Sequence, residues 1–225
     1  MTRPHFSDGF FTITQNGRDQ KQWMEINMEL FNEPKTKRGM ETLDKICKAA
    51  EELFSEKGYY NTGIIDIVSK VGIAQGTFYI YFNDKKSVFI YLVNKLGTEL
   101  RDTIRKNIKS SKDRYDEEYM GIKTFLNFVG DHLGLFKIVW QAQFVDMDLF
   151  KDYYESFSKG YVKNIKKAQA NGEMNDIDPV ILSYCLIGIA NFTALKAIEF
   201  DKRENNYDEI VEEAMKFIKN GAFKK

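Results

Sequence analysis

The chain has 225 residues, which is enough for one large domain or two modest ones with an ample core. Lysine plus arginine and aspartate plus glutamate both total 33, and prolines number only 3, so neither a disordered nor a collagen-like chain is expected. The two cysteines, Cys47 and Cys185, sit in apolar helical patterns, which indicates buried free thiols in a reducing compartment and no disulfide framework.

The charges are unevenly distributed along the chain. Residues 35–109 carry 14 basic and 9 acidic side chains, whereas residues 110–225 carry 16 basic and 19 acidic ones. This asymmetry suits a DNA-facing segment joined to an acidic one. The N-terminus has no signal-peptide pattern, and the most apolar run, residues 180–195, is shorter than a membrane span. We therefore expect a cytoplasmic protein with no membrane partner.

Helical periodicity predicts an all-α protein. The first helix carries apolar residues at three- and four-residue steps from Leu43 to Phe54, with Thr36 as its cap and a left-handed Gly58 as its stop. Residues 1–34 differ in character and form an N-terminal extension of unknown role. After residue 83 we expect a long helix following Asp84, a helix over 115–129 and a short apolar piece at 135–140. A helix over 149–165 follows and is closed by Asn171-Gly172. Asp178-Pro179 opens an apolar helix over 179–200, and a last amphipathic helix covers 206–221.

Two short helices joined by a tight turn at Gly72 are predicted between Asn61 and Phe82. The first points Ile64, Ile67 and Val68 inward, and Asn61 or Thr62 would cap it. The second begins near Ala74, anchors Phe78 inward and leaves Gln75, Thr77 and Tyr79 outward. A recognition helix needs this division between apolar anchors and side chains that reach base edges and phosphates. Gly76 would let the DNA backbone approach closely, because it has no Cβ.

Residues 43–88 resemble the DNA-binding domain of the TetR (tetracycline repressor) family. The positions that correspond to the family pattern, in register, read Phe54, Gly58, Tyr59, Thr62, Ile67, Val68, Val71, Gly72, Ile73, Gly76, Thr77, Phe78, Tyr79, Tyr81, Phe82 and Lys85. The sequence departs from the family pattern at Gly63, Val68, Val71, Ala74 and Lys86. Ala74 matters most, because it removes a helix cap whose loss typically costs about 1 kcal/mol.

The resemblance implies an N-terminal three-helix helix-turn-helix DNA-binding domain at residues 35–83 and a C-terminal helical effector-binding and dimerisation domain at residues 84–225. It implies a homodimeric repressor that binds an inverted-repeat operator in double-stranded DNA and is released by a hydrophobic or amphipathic small-molecule effector. The implied DNA contacts are Lys37, Arg38, Thr62, Gln75, Gly76, Thr77, Tyr79, Tyr81 and Lys85. The alternative for the two tyrosines is the domain core, and for the basic residues it is ordinary solvation.

The resemblance also assigns the rest of the chain to effector binding and dimerisation. The expected pocket residues are aromatic with two amides as polar anchors, namely Phe125, Phe128, Trp140, Gln143, Phe144, Tyr153, Phe157, Tyr184 and Asn191. The expected dimer interface lies on the last two helices, at Ile187, Gly188, Phe192, Leu195, Met215 and Ile218. For both sets the alternative is packing inside one subunit, because periodicity does not tell whose core an apolar stripe enters.

An enzyme is not expected. His5 and His132 are the only histidines, and the sequence holds no GxGxxG, Walker loop or CxxC motif. We therefore predict no catalytic residue, no cofactor and no metal site. A transcriptional activator, or a helical ligand-binding protein without specific DNA binding, remains the alternative function. The effector, the operator and the regulated genes are not readable from the chain.

Overall fold

The computed structural model describes residues 31–203 and 206–224, so most of the N-terminal extension lies outside the described residues. Within that part the chain forms nine α-helices, and the all-α prediction is confirmed. Their bounds are α1 Lys37–Lys57, α2 Ile64–Val71, α3 Gln75–Tyr81, α4 Lys85–Asn107, α5 Arg114–Asp131, α6 Leu133–Val145, α7 Met147–Ala170, α8 Pro179–Ala194 and α9 Asp208–Ala222. A 3-10 turn, Ile108–Ser110, follows α4, and a π-helical turn, Leu195–Phe200, extends α8.

Helix ends follow the local chemistry of the sequence. The Thr36 hydroxyl accepts a hydrogen bond from the Gly39 N–H at 3.1 Å, as predicted for the start of α1. The Asp178 carboxylate accepts from two backbone N–H groups in the first turn of α8, each at 2.9 Å. Gly58 ends α1 with a φ of +82° but a ψ of 159°. The positive φ was expected, whereas the fully left-handed conformation was not adopted.

Helix α6 is longer than the short apolar piece expected at residues 135–140. It runs for 13 residues, and its buried side chains include Leu135, Phe136, Ile138, Val139 and Ala142. These positions cover more than one side of the helix, so no polar face alternates with the apolar one. A helix that is apolar nearly all round gives a weak periodic signal, which explains why its ends were not apparent in the sequence.

The described residues fall into two compact units. Unit 1 holds the described residues up to Leu96 together with Gly134–Leu149, and unit 2 holds Gly97–Leu133 together with the described residues from Phe150 onward. The domain boundary expected between residues 83 and 84 stays a prediction. The first half of α4 belongs to unit 1 because its aromatic side chains pack there, with the Phe89 ring centroid 5.6 Å from that of Phe54.

The core of unit 1 is aromatic and almost free of solvent. Phe54, Phe78, Phe82 and Phe89 have no exposed surface, and Ile46 and Ile67 are equally buried. Cys47 lies in this core, where burial raises the pKa of its thiol to about 12 and keeps it protonated. Cys185 belongs to unit 2 and is exposed, so the expectation of a buried thiol is confirmed for Cys47 and wrong for Cys185.

The core of unit 2 combines α5, α7, α8 and α9. Ile122, Leu126 and Val211 are almost completely buried in it. The segment Pro179–Phe200 is long enough to cross a membrane, its most apolar window has a mean hydropathy of 1.6, and half of that window is buried inside the fold. A buried core helix meets the same criterion of length and composition.

Candidate nucleic-acid interface and ligand cavity

The turn between α2 and α3 has the geometry of a helix-turn-helix. Gly72 adopts φ +76° and ψ 39°, the left-handed conformation that the predicted tight turn required. Its N–H donates to the Val68 carbonyl at 2.9 Å, and the Ile73 N–H donates to the same carbonyl at 3.1 Å. These two bonds end α2 and turn the chain directly into α3.

The start of α2 is capped differently from the expectation. Gly63 is the N-cap, and its N–H donates to the Asp66 carboxylate at 2.7 Å. The Asn61 amide instead donates to the Lys57 carbonyl at 2.9 Å. The predicted cap by Asn61 or Thr62 is therefore wrong, because both side chains bond backwards to the end of α1.

Helix α3 presents the outward face expected of a recognition helix. Phe78 is completely buried, whereas Gln75, Gly76 and Tyr79 are exposed and Thr77 is half-buried. A Cβ built on Gly76 would meet no atom within 4 Å, so nothing inside the protein requires a glycine there. The absence of a side chain at Gly76 therefore affects only the distance at which another molecule can approach this face of α3. Ile80 is 62% exposed on the same helix, which the sequence reading did not single out.

Two of the implied DNA contacts are internal side chains. Thr62 is 1% exposed, and its hydroxyl donates to the carbonyls of Gly58 at 2.9 Å and Leu53 at 3.3 Å. Tyr81 is 8% exposed and packs inside unit 1. The Thr62 side chain is enclosed and bonded within the helix-turn-helix, so its assignment as a DNA contact is corrected. Tyr81 buries most of its ring, and its contact with DNA stays a prediction.

Lys85 is tied into the protein by its ammonium group. Its Nζ donates to the Tyr59 carbonyl at 2.7 Å and to the Thr62 carbonyl at 2.8 Å. The same nitrogen lies 4.1 Å from the centroid of the Tyr59 ring. Burial lowers the pKa of this lysine. Lys85 therefore fixes the connection between α1 and α2, so its expected role as a phosphate contact gives way to a structural one.

A polar clamp from α6 holds the other side of the same connection. The Gln141 amide Nε2 donates to the Phe54 carbonyl at 2.9 Å, and its Oε1 accepts from the Tyr59 N–H at 2.8 Å. Tyr60 donates its hydroxyl proton to the Phe144 carbonyl at 2.7 Å. Sequence reasoning missed this clamp, because partners more than 80 residues apart leave no local pattern.

A salt bridge lies beside this clamp, between Lys86 and Asp146 at 2.8 Å. The hydrogen bond from Lys86 holds the pKa of the Asp146 carboxyl below its usual value.

Lys37 and Arg38 are exposed in the first turn of α1, and their contact with the DNA backbone stays a prediction.

A small cavity lies inside unit 2, where an effector pocket was expected. Its volume, measured as the space open to the centre of a water molecule, is about 30 Å³. Four predicted residues line it, namely Phe125, Tyr153, Phe157 and Asn191. The other lining residues, which were not predicted, are Ile104, Gly121, Ile122, Tyr154, Tyr161, Ile187 and Ala190.

Five predicted pocket residues lie elsewhere. Trp140, Gln143 and Phe144 belong to unit 1, since α6 packs there. Tyr184 is 43% exposed on α8, and the Phe128 ring stacks on His132 with centroids 4.3 Å apart. None of these five lines the cavity, because aromatic spacing along the chain does not distinguish the helix faces that meet there, and their contact with an effector stays a prediction.

Several polar side chains around the cavity have partners inside the protein. Tyr154 donates its hydroxyl proton to Asn191 Oδ1 at 3.3 Å. Tyr161 donates to Glu118 at 3.0 Å, and Arg114 donates to the other oxygen of that buried carboxylate at 2.7 Å. Burial raises the pKa of Tyr154 to about 12, so its hydroxyl stays neutral at physiological pH. The cavity wall is therefore apolar, aromatic and without a free charge on these groups.

The expected dimer-interface residues divide into two groups. Ile187, Met215 and Ile218 are at most 8% exposed inside unit 2, so their side chains offer little surface to a partner. Phe192 is 63% exposed, while Gly188 and Leu195 are half-buried. The side chains of the first group fill the subunit's own core, and the expected interface stays a prediction.

Apolar side chains that the prediction did not name are exposed on the same two helices. Ile181 on α8 is 60% exposed, and Phe217 on α9 is 72% exposed. Ile181, Cys185, Gly188 and Phe192 follow steps of four, three and four residues, which places them along one face of α8. An apolar face of this kind is typical of a helix that packs against another helix.

Comparison with known proteins matches residues 46–92 to the family model described as bacterial regulatory proteins, tetR family. The chain is 28% identical over 180 residues to the HTH-type transcriptional regulator YvdT of Bacillus subtilis, covering 78% of this chain and 92% of that protein. Relatives of this kind are named as regulators, which confirms the prediction that the chain is not an enzyme.

Solved structures share the fold. The fatty acid degradation regulator FadR from Bacillus halodurans is similar with a TM-score of 0.72 and 17% identity, covering 83% of this chain and 96% of that one. A protein from Saccharomonospora viridis, solved in complex with choline, is similar with a TM-score of 0.68 and 20% identity, covering 83% and 100%. At these identities the likeness shows the fold alone.

Proposed function

Because this chain belongs to the tetR family of bacterial regulatory proteins and is a transcriptional regulator, we propose that it is a cytoplasmic homodimeric repressor released from an inverted-repeat operator by an amphipathic small molecule. The observation that carries the proposal is the division of α3. Phe78 anchors the helix from inside, while Gln75, Gly76 and Tyr79 face outward. An adenine edge suits the glutamine amide, and DNA phosphates suit the tyrosine hydroxyl.

Dimerisation follows from what an operator requires. Two half-sites one helical turn apart, about 34 Å, need two recognition helices related by a two-fold axis. The exposed apolar face of α8, with Ile181 and Phe192, together with Phe217 on α9, is the surface we assign to the second subunit. Burying such side chains typically contributes about 1.5–3 kcal/mol each.

The effector is proposed to enter the cavity of unit 2. A pocket for a small molecule usually measures about 300–1,000 Å³, whereas one water already needs about 10–15 Å³. The cavity of about 30 Å³ is thus almost closed, and an effector must select a more open conformation. Its aromatic wall favours an acyl chain. A cation is disfavoured because Arg101 already lies 5.3 Å from the Phe157 ring centroid.

The DNA proposal is tested by selecting bound sequences from a random duplex pool with the purified full-length chain at two salt concentrations. We expect an inverted repeat whose binding weakens steeply with salt, because phosphate contacts release counterions. Tyr79→Ala should weaken binding, whereas Tyr60→Ala, which removes a more exposed tyrosine of unit 1 outside the recognition helix, serves as its control. A folded dimer that enriches no sequence would refute operator binding.

The effector proposal is tested by adding palmitoyl-coenzyme A or choline to the complex with the selected operator. We expect release by the acyl compound and none by choline. Gly121→Ala should blunt the release, because the added methyl group points into open space at the cavity wall and meets no atom within 4 Å. Gly160→Ala, at a helical glycine that also meets nothing, is the matched control. Release by choline alone would contradict the acyl assignment.

A further inference from the structure

The described residues just before α1 are part of unit 1, although residues up to 34 were expected to form an extension of unknown role. Phe31 is only 9% exposed, and its ring centroid lies 4.7 Å from that of Tyr91 and 6.1 Å from that of Phe82. Phe31 also pairs with Phe82 in an isolated antiparallel bridge. We call residues 31–36 the anchor segment. Its first residue is buried against the residue that follows the recognition helix.

Asn32 holds the C-terminal end of the recognition helix through two hydrogen bonds. Its backbone N–H donates to the Tyr81 carbonyl at 2.9 Å, and its side-chain Nδ2 donates to the Ile80 carbonyl at 3.0 Å. The last carbonyls of any helix lack partners within that helix. Asn32 therefore satisfies two of them at once.

Helix α3 depends on such outside partners more than a longer helix would. It has 7 residues, and its N-cap, Ala74, supplies no side-chain hydrogen bond. A helix this short is marginal by itself, so tertiary contacts fix both its presence and its direction. Phe78 anchors one side of α3 in the core of unit 1, and Asn32 fixes its end.

The anchor segment has little freedom to shift. A Cβ built on Gly39 would come within 2.7 Å of the Pro34 Cβ and 3.1 Å of the Thr36 hydroxyl. A proline ring does not swing away as a long side chain would. The segment is thus held between the first turn of α1 and the end of α3.

We propose that Asn32 is a positioning residue for operator recognition, and that the anchor segment is a working part of the DNA-reading unit. The inference rests on the proposed function, since it requires that the chain binds an operator. Base edges are read only when the recognition helix enters the groove at a fixed angle, whereas phosphate attraction tolerates small changes of angle. Asn32 sets that angle from behind the helix, through the carbonyls of Ile80 and Tyr81.

The test compares wild type and Asn32→Ala on the operator selected by the wild type and on a scrambled duplex of equal length. We expect operator affinity to fall about five-fold for each subunit, or about 25-fold for the dimer, from one lost hydrogen bond in each. Affinity for the scrambled duplex and the salt slope should not change. Asn107→Ala is the control, because it also removes one side-chain hydrogen bond, to Thr124 in unit 2.

Gly39→Ala provides a second variant that leaves Asn32 unchanged. Alanine favours a helix over glycine, so α1 itself should not be weakened. The new methyl group must displace Pro34, and the anchor segment with it. We expect the same loss of preference for the operator over the scrambled duplex.

The outcomes separate this inference from the function on which it rests. If the wild type selects no sequence, the proposed function fails and takes the inference with it. If the wild type selects an operator and both variants bind it with unchanged preference, the inference alone is overturned. An equal loss on the operator and the scrambled duplex also overturns it, because Asn32 would then only stabilise the fold.

Discussion

Replacing Gln141 by leucine tests the clamp between α6 and the end of α1. Leucine has nearly the same size but removes both hydrogen bonds, to the Phe54 carbonyl at 2.9 Å and from the Tyr59 N–H at 2.8 Å. Each bond is worth about 1 kcal/mol net, and a half-buried N–H left without a partner adds to the loss. We therefore expect the free energy of unfolding to fall by about 2–3 kcal/mol.

Urea denaturation followed by tryptophan fluorescence measures this change, with Trp140 on the same helix as a reporter. For a denaturant slope of about 2–3 kcal/mol/M, the midpoint should move down by about 1 M. Gln143→Leu is the matched control, because that amide donates only to the Trp140 carbonyl within α6, at 2.9 Å. We expect its midpoint to move by less than about 0.3 M. Equal shifts for the two variants would refute the clamp.

Four further changes probe the DNA face, the subunit contact and the pH dependence. Gly76→Ala should raise stability by up to about 1 kcal/mol through helix propensity yet weaken operator binding, as measured by melting and gel shift. Lys37→Ala should reduce the slope of log affinity against log salt by about 2 per dimer, since each lysine would neutralise one phosphate. Ile181→Asp should convert dimer to monomer in analytical ultracentrifugation, because a charge would replace an exposed apolar side chain. Asp146→Asn should reduce the dependence of the free energy of unfolding on pH at acid pH. The hydrogen bond from Lys86 lowers the pKa of Asp146 in the folded state, so the carboxylate stabilises the fold fully above its unfolded pKa near 3.8. This stabilisation is lost as the pH falls below that value.

Each of these variants has a control of the same chemical kind. Gly160→Ala matches the glycine change, since both positions are helical and neither Cβ would meet an atom within 4 Å. Lys163→Ala matches the lysine change on the exposed surface of unit 2, and Asp148→Asn matches the carboxylate change two residues further along the chain. Ile65→Asp places a charge at an isoleucine that is 68% exposed in unit 1, and it should leave the dimer intact. A control that behaves like its partner would contradict the corresponding prediction.

The features that the sequence predicted correctly depend on neighbours in the chain. Thr36 and Asp178 cap helices through N–H groups two or three residues away, and Gly72 turns the chain by its own backbone conformation. The inward Phe78 and the outward Gln75 follow from helical spacing over a few residues. Patterns that span only a few residues are visible in a single sequence, because no distant part of the fold is needed to produce them.

The features that were missed depend on distant partners. Asn32 meets the end of α3 across 48 residues, and Gln141 meets the end of α1 across 82 and 87 residues. Lys85 was assigned to phosphate by its place in a pattern, whereas its two carbonyl partners are 23 and 26 residues away. A pattern records which residue type stands at a position, and it does not record which group in space that residue bonds.

The helix faces at the proposed dimer contact show a related limit. Met215 and Phe217 are two residues apart on α9, yet the first is 1% exposed and the second is 72% exposed. Periodicity identifies an apolar stripe, but two stripes on one helix can serve two different cores. The two stripes of α9 are distinguished only by the neighbouring helices of unit 2, which bury one stripe and leave the other exposed.

Under the proposed function, the small cavity in unit 2 makes the concentration of effector needed for release a property of packing. With about 30 Å³ available, only molecules with an enlarged cavity would accept the proposed effector, and the apparent dissociation constant would rise by the inverse of their fraction. Enlarging or tightening the wall would therefore move the threshold of the genetic response up or down. Such a shift needs no new contact with the effector and no change in the operator. Substitutions in the core of unit 2 would therefore change the effector concentration at which the operator is released.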